Sequence, residues 1–99
     1  MRDLHTPEAD RLFQAILQLK TVEECYDLFE DLCTVKELRD ISQRLEVAIL
    51  LSEGNSYQNV AKKAEVSSVT ISRVNRCLLY GSGGYRRASK RLRGEEKET

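Results

Sequence analysis

The chain has 99 residues, enough for one compact domain and too few to enclose a deep catalytic cleft beside its core. One proline and five glycines, against abundant Leu, Glu, Arg, Lys and Ala, favour helices over a many-turned sheet protein, so an all-α fold is expected. The formal net charge is zero, yet residues 1–55 hold twelve acidic and six basic side chains, while residues 56–94 hold one acid, Glu65, and nine bases. Only the second part suits a phosphate-bearing partner.

Thr6-Pro7-Glu8 reads as an N-cap followed by proline at the first helical position, and Leu12, Phe13, Ile16, Leu17 and Leu19 then recur at helical spacing to about Lys20. Thr21 with Glu24 forms a capping box for a second helix striped by Cys25, Leu28, Phe29 and Leu32. Thr34 with Glu37 repeats that signature and opens the longest helix, Val35 to about Glu53, with Leu38, Ile41, Leu45, Ala48, Ile49 and Leu51 on or near one face. Gly54 supplies its left-handed stop. These helices carry more large apolar residues than one face of a lone bundle needs, so a second copy is expected to cover the surplus.

Ser56 can cap a fourth helix, Tyr57 to Ala64, and Ser67 a fifth, Ser68 to about Tyr80, with only Glu65 and Val66 before the second cap. Gly81-Ser82-Gly83-Gly84 reads as a flexible break, and Tyr85, Ala88 and Leu92 form a last weak helical stripe over residues 85–93. Residues 94–99 read as a disordered tail. The organisation expected is a single helical domain over 1–93: dimerisation helices in 1–55, a helix-turn-helix in 56–80 and a C-terminal helix in 85–93.

Cys25, Cys33 and Cys77 are odd in number, lack C-x-x-C spacing and share the chain with a single histidine, His5. Neither a disulfide framework nor a metal site is indicated, and buried, reduced, apolar roles are expected. No apolar run approaches the roughly 20 residues that cross a bilayer. The start Met1-Arg2-Asp3-Leu4-His5 has no signal-peptide core, so a cytoplasmic location is expected.

Function concentrates in Tyr57 to Val74. Ala61 is small where two helices cross closely, and Val60, Ala64, Val66, Ile71 and Val74 have the spacing that locks a second helix across a first. Glu65 stands at the turn position usually held by glycine and must adopt or avoid positive φ. The remaining polar residues of the second helix, Ser67, Ser68, Thr70, Ser72 and Arg73, suit a major groove, with Val69 and the Thr70 methyl able to touch a thymine methyl. Gln58, Lys62 and Lys63 on the first helix can hold the phosphate backbone.

The run Thr34-Val35-Lys36-Glu37-Leu38 through Arg44, then Leu50-Leu51-Ser52-Glu53-Gly54-Asn55-Ser56-Tyr57-Gln58, then Thr70-Ile71-Ser72-Arg73, resembles the Trp repressor superfamily and, more closely, its YerC/YecD family of bacterial proteins. The resemblance spans residues 8–93 and is strongest over 34–76. It implies an intertwined homodimer of subunits with about six helices each, whose recognition helices face successive major grooves of a near-palindromic operator. In the Trp repressor, two arginines hold the corepressor indole and a residue near the start of the third helix meets its polar end; by motif position these are Arg44, Arg73 and Thr34. Val74 replaces a glycine and Cys77 a serine of that pocket, changes that shrink or desolvate it. Tryptophan binding is therefore expected to be weak or absent, no cofactor is implied, and Arg44 can equally serve a salt bridge in its own helix.

The function read from these residues is a double-stranded-DNA-binding transcriptional regulator, a repressor by resemblance, acting as a homodimer. The alternative is a helical protein-interaction module of the transcription machinery without DNA binding of its own. An enzyme is not indicated, because no nucleophile–base pair, metal set or glycine-rich phosphate loop is present. RNA binding is disfavoured because Tyr57, Tyr80 and Tyr85 are assigned to packing rather than to base stacking.

Overall fold

The computed structural model describes residues 4–94, which form helices α1 (Pro7–Leu17), α2 (Val22–Leu32), α3 (Val35–Ser52), α4 (Tyr57–Ala64), α5 (Ser68–Tyr80) and α6 (Gly84–Leu92). No strand occurs among the described residues. Local chemistry sets the starts. The hydroxyls of Thr6, Thr21, Ser56 and Ser67 each accept from the backbone N–H three residues on, and Thr34 does the same from Glu37 N–H at 3.1 Å. Each such bond satisfies one of the amides a helix leaves without a partner in its first turn. Glu37 answers Thr34 reciprocally at its own N–H, whereas Glu24 reaches one residue further back, to Lys20 N–H.

The chain falls into two compact units that divide inside α3, the first ending at Leu38 and the second starting at Arg39. In the first unit α1 and α2 bury no residue. Leu12, Phe13, Leu17, Val22, Tyr26, Leu32 and Val35 are exposed. Ile16, Leu28 and Phe29 of the same helices are half-buried.

The second unit holds the core: Val47, Ala48 and Leu50 of α3, Val60 of α4, and Ile71 and Val74 of α5. Leu51, Ala61, Ala64, Val66, Leu78 and Tyr85 pack around it. Complete burial of Val47, Val60 and Ile71 stabilises the unit by about 1.5–3 kcal/mol per side chain. α4 packs on α5, and α5 on α6.

Several expectations change. α1 stops at Leu17 rather than near Lys20, where the Gln18 N–H turns back to the Ala15 carbonyl and the Leu19 N–H to that of Ile16. In α3 the buried face is Val47, Ala48 and Leu50, whereas Ile41 is 46% exposed, because only the C-terminal half of that helix meets α4 and α5 residues in the core. Cys25 and Cys77 are exposed and Cys33 half-buried, so none has the buried role its type suggested. Tyr80, assigned to packing, is 81% exposed at the end of α5, and Tyr57 is 42% exposed. The glycine segment bends at Gly81 and again at Gly83 between α5 and α6. Gly81 N–H donates to Cys77 O at 2.8 Å, and a Cβ on Gly81 would lie 2.4 Å from that same oxygen. Gly83 then opens α6 in the left-handed region at φ +92°, so Gly84 belongs to the helix. Of the tail expected over 94–99, only Gly94 lies within the described residues.

Candidate nucleic-acid interface

α4 and α5 are joined by a turn whose hinge is Glu65, at φ 55° and ψ 50°. It is the non-glycine residue with positive φ among the described residues. An L-residue there brings Cβ against the backbone, at a cost of about 1–2 kcal/mol. The apolar lock offsets that cost. Val60 and Ile71 are fully buried, Val74 nearly so, and Ala61, Ala64 and Val66 close the remaining space. The short Ala61 side chain permits the close approach of the two helices.

The lock fixes what faces outward. Ser67 Oγ accepts from Thr70 N–H at 3.3 Å and lies 3.4 Å from Thr70 Oγ1, which orients both hydroxyls at the N-terminus of α5. Ser68, Ser72 and Arg73 are exposed, and Val69 is 60% exposed although it stands between two polar residues. A helix N-terminus carries a partial positive charge and free N–H groups, a combination that attracts phosphate. No acidic residue occurs between Val66 and Gly94 to oppose it.

On α4, Gln58, Lys62 and Lys63 are exposed. Lys63 Nζ donates to Asn55 Oδ1 at 3.4 Å, while Asn55 Nδ2 donates to Leu50 O at 3.0 Å. Asn55 thus ties the end of α3 to the ammonium group on α4. Asn55 carries no chemical motif of its own, and its place between the Gly54 stop and the Ser56 cap is the one sequence signal for this tie. Lys62 has no hydrogen-bond or ionic partner among the described residues.

Behind the exposed face, Arg44, Thr70, Arg73, Val74, Cys77 and Tyr85 line a cavity of about 340 Å³. Arg44 and Arg73, nominated by resemblance, do share this cavity. Thr34 belongs to the first unit, where it is spent on capping α3. Tyr85 was not anticipated in the lining. Burial pushes its phenol above the ordinary tyrosine range and the neighbouring Cys77 thiol adds to the rise, while the Arg44 guanidinium opposes it. The cavity therefore offers two guanidinium groups, a hydroxyl, a thiol and a neutral phenol around the Val74 side chain.

The sequence profile of the family described as Trp repressor protein matches residues 7–93. The chain is 48% identical over 96 residues to the uncharacterized protein YerC of Bacillus subtilis strain 168, covering 97% of this chain and 92% of that one. A crystal structure of a TrpR-like protein from Eubacterium eligens superposes with a TM-score of 0.89 at 49% identity, covering 98% of this chain and all of the other. A second crystal structure, from Staphylococcus aureus, gives the same TM-score at 40% identity, with 99% of both chains covered.

Proposed function

Because the chain belongs to the Trp repressor family, in its YerC branch, we propose that it is a sequence-specific double-stranded-DNA-binding transcriptional regulator that acts as a homodimer. One observation carries this reading. The exposed hydroxyls of Ser67, Ser68 and Ser72, the half-buried hydroxyl of Thr70 and the guanidinium of Arg73 crowd the N-terminal part of α5 in a stretch of chain without a single acid. Small hydroxyls and one fork-shaped cation at a helix N-terminus match base edges flanked by phosphate.

In this reading Thr70, Ser68 and Val69 read bases, Ser67, Ser72 and Arg73 bridge bases and backbone, and Gln58, Lys62 and Lys63 hold phosphates. Residues 1–55 supply the dimer contact, 56–80 the helix-turn-helix and 85–93 the closing helix. A two-fold dimer places its recognition helices about one DNA turn, ~34 Å, apart, which calls for a near-palindromic site and direct repression by occupancy. No helix among the described residues is long and apolar enough to cross a membrane, in keeping with a cytoplasmic regulator. Catalysis has no part in the proposal. The cavity beside α5 would admit a small effector, but Val74 and Cys77 stand where the Trp repressor has a glycine and a serine, so L-tryptophan is not the expected ligand.

The experiment is selection of bound sequences from a random duplex library by the purified protein. An enriched motif with two-fold symmetry is expected, with Lys62→Ala weakening specific and nonspecific binding alike and Thr70→Ala relaxing specificity at one base position. Recovery of no enriched motif sinks the reading, and micromolar L-tryptophan affinity in a calorimetric titration sinks the effector part of it alone.

A further inference from the structure

A second concentration of positive charge lies away from the reading end of α5. Gly83, Arg86, Arg87 and Lys90 line an open cavity of about 210 Å³ on α6. Their spacing, i, i+3, i+4 and i+7, is that of one helical stripe, so the three cations stand over one another on the same face. Like charges at such spacing repel and weaken a helix. No acid on α6 relieves them, and the first turn of the helix holds none.

Arg86 is anchored, since its Nη2 donates to the Leu78 carbonyl in the last turn of α5. Arg87 and Lys90 have no hydrogen-bond or ionic partner among the described residues. A planar guanidinium fork beside a mobile ammonium, with a fixed guanidinium behind them, fits a tetrahedral oxyanion bearing two or more charges better than a monovalent carboxylate. The anchor also places the stripe. Leu78 stands ten positions beyond Ser68 in the same helix, about 15 Å along its axis at the standard rise. The stripe therefore sits at the opposite end of α5 from the hydroxyls assigned to base reading.

We propose that Arg87 and Lys90, backed by Arg86, bind a free phosphate-class anion such as inorganic phosphate, pyrophosphate or a phosphate monoester, independently of the operator. The site is distinct from the cavity lined by Arg44 and Arg73 and shares no residue with it.

The test is calorimetric titration of the full chain with pyrophosphate, in chloride buffer held at constant ionic strength. Saturable binding is expected in the unmodified protein, with at least a tenfold loss in R87A/K90A, retention within about threefold in K90R, and unchanged helicity in both, since the side chains are exposed. The slope of operator affinity against salt should be the same for R87A/K90A as for the unmodified protein. Equal pyrophosphate binding by R87A/K90A and the unmodified protein, or no binding by either, overturns the site. A salt slope reduced by about one in R87A/K90A, without pyrophosphate binding, overturns it in favour of a backbone contact to DNA. Because the pyrophosphate titration needs no DNA, failure of the DNA-binding reading leaves it decisive.

Discussion

Arg93 Nη1 donates to Ser52 Oγ at 2.6 Å, joining residues 41 positions apart. Ser52 in turn donates its proton to Ile49 O at 2.8 Å, so the end of α6 is fastened through a chain of hydrogen bonds to the last turn of α3. A bond to a charged donor outweighs a neutral one, and its loss should cost about 1.5–3 kcal/mol when well ordered, less for a partly exposed pair like this one. Arg93→Ala should therefore speed hydrogen exchange in α6 more than in α4. Equal protection of α6 in both proteins would show that packing alone holds the helix.

Four residues before Arg93, Ser89 is fully buried and its Oγ has no hydrogen-bond partner among the described residues. A buried hydroxyl left unpaired costs about 1–3 kcal/mol in lost hydration, while the small volume of the side chain lets α6 sit close to its neighbours. Ser89→Ala keeps the volume and removes the polar atom. It should raise the urea midpoint without changing the slope, by a stability gain of about 1 kcal/mol. Ser89→Leu should lower the midpoint through overpacking, by about 1–3 kcal/mol. A destabilising alanine would mean that the hydroxyl has a partner in solution.

The helix starts were legible because capping is local chemistry: Thr6, Thr21, Thr34, Ser56 and Ser67 each find their amide within three residues. The lock of Val60, Ala64, Val66, Ile71 and Val74 was legible too, since its spacing is imposed by two helices and one turn. What escaped depends on which surface covers a residue. Val47 and Leu50 look like neighbours of a stripe centred elsewhere on α3, and only the approach of α4 and α5 selects them. Cys77 belongs to a type that favours the interior and Tyr80 was assigned to packing, yet both are exposed on α5. Tyr85 joins Arg44 at one cavity from 41 positions away, a meeting with no sequence period to announce it.

Glu65 gives a direct test of the turn. Glycine has no Cβ penalty at φ 55°, but it also loses more backbone entropy on folding than glutamate does. The first effect should win. Glu65→Gly is expected to raise stability by about 0.5–1 kcal/mol in urea denaturation while leaving the α4–α5 geometry intact. It also removes the one acid of residues 56–94, so nonspecific DNA affinity should rise modestly, whereas Glu65→Val should destabilise. A less stable glycine variant would indicate that the side chain itself supports the turn.

Tyr85 predicts a dependence on alkaline pH. Its phenol is raised above 10.0 in the folded protein, first by burial and then by Cys77, against the pull of Arg44. Below the unfolded value both states hold the proton, and the contribution of the neutral phenol is fully present. Above it the unfolded chain releases the proton first, so stability falls as pH rises through the folded value. Tyr85→Phe should flatten that fall above pH 10. The chain has four tyrosines and no tryptophan, so absorbance near the phenolate band can follow the titration, and Arg44→Ala should delay it further. Simultaneous titration of all four residues would rule out the raised phenol.

The exposed apolar faces of the first unit lead to the most consequential prediction. Phe13 and Leu17 stand one helical turn apart on α1, 57% and 79% exposed, and neither α1 nor α2 buries a residue of its own. Eleven-residue helices are marginal in water unless packing covers their apolar side, so α1 and α2 need a second surface to persist. In the proposed homodimer a second copy would supply one of matching character, and burying each large side chain across such a contact gives about 1.5–3 kcal/mol. Sedimentation equilibrium should therefore find a dimer at micromolar concentration, with a melting temperature that rises with protein concentration. Phe13→Lys with Leu17→Lys should abolish the dimer and also reduce helical circular dichroism by roughly the content of α1 and α2, because the unpartnered first unit has no core to hold it. The second unit, with Val47, Val60 and Ile71 buried within one chain, should retain its helices in the same variant. A fully helical monomer at nanomolar concentration would show that the first unit is stable alone, and the homodimer would then lose its physical basis.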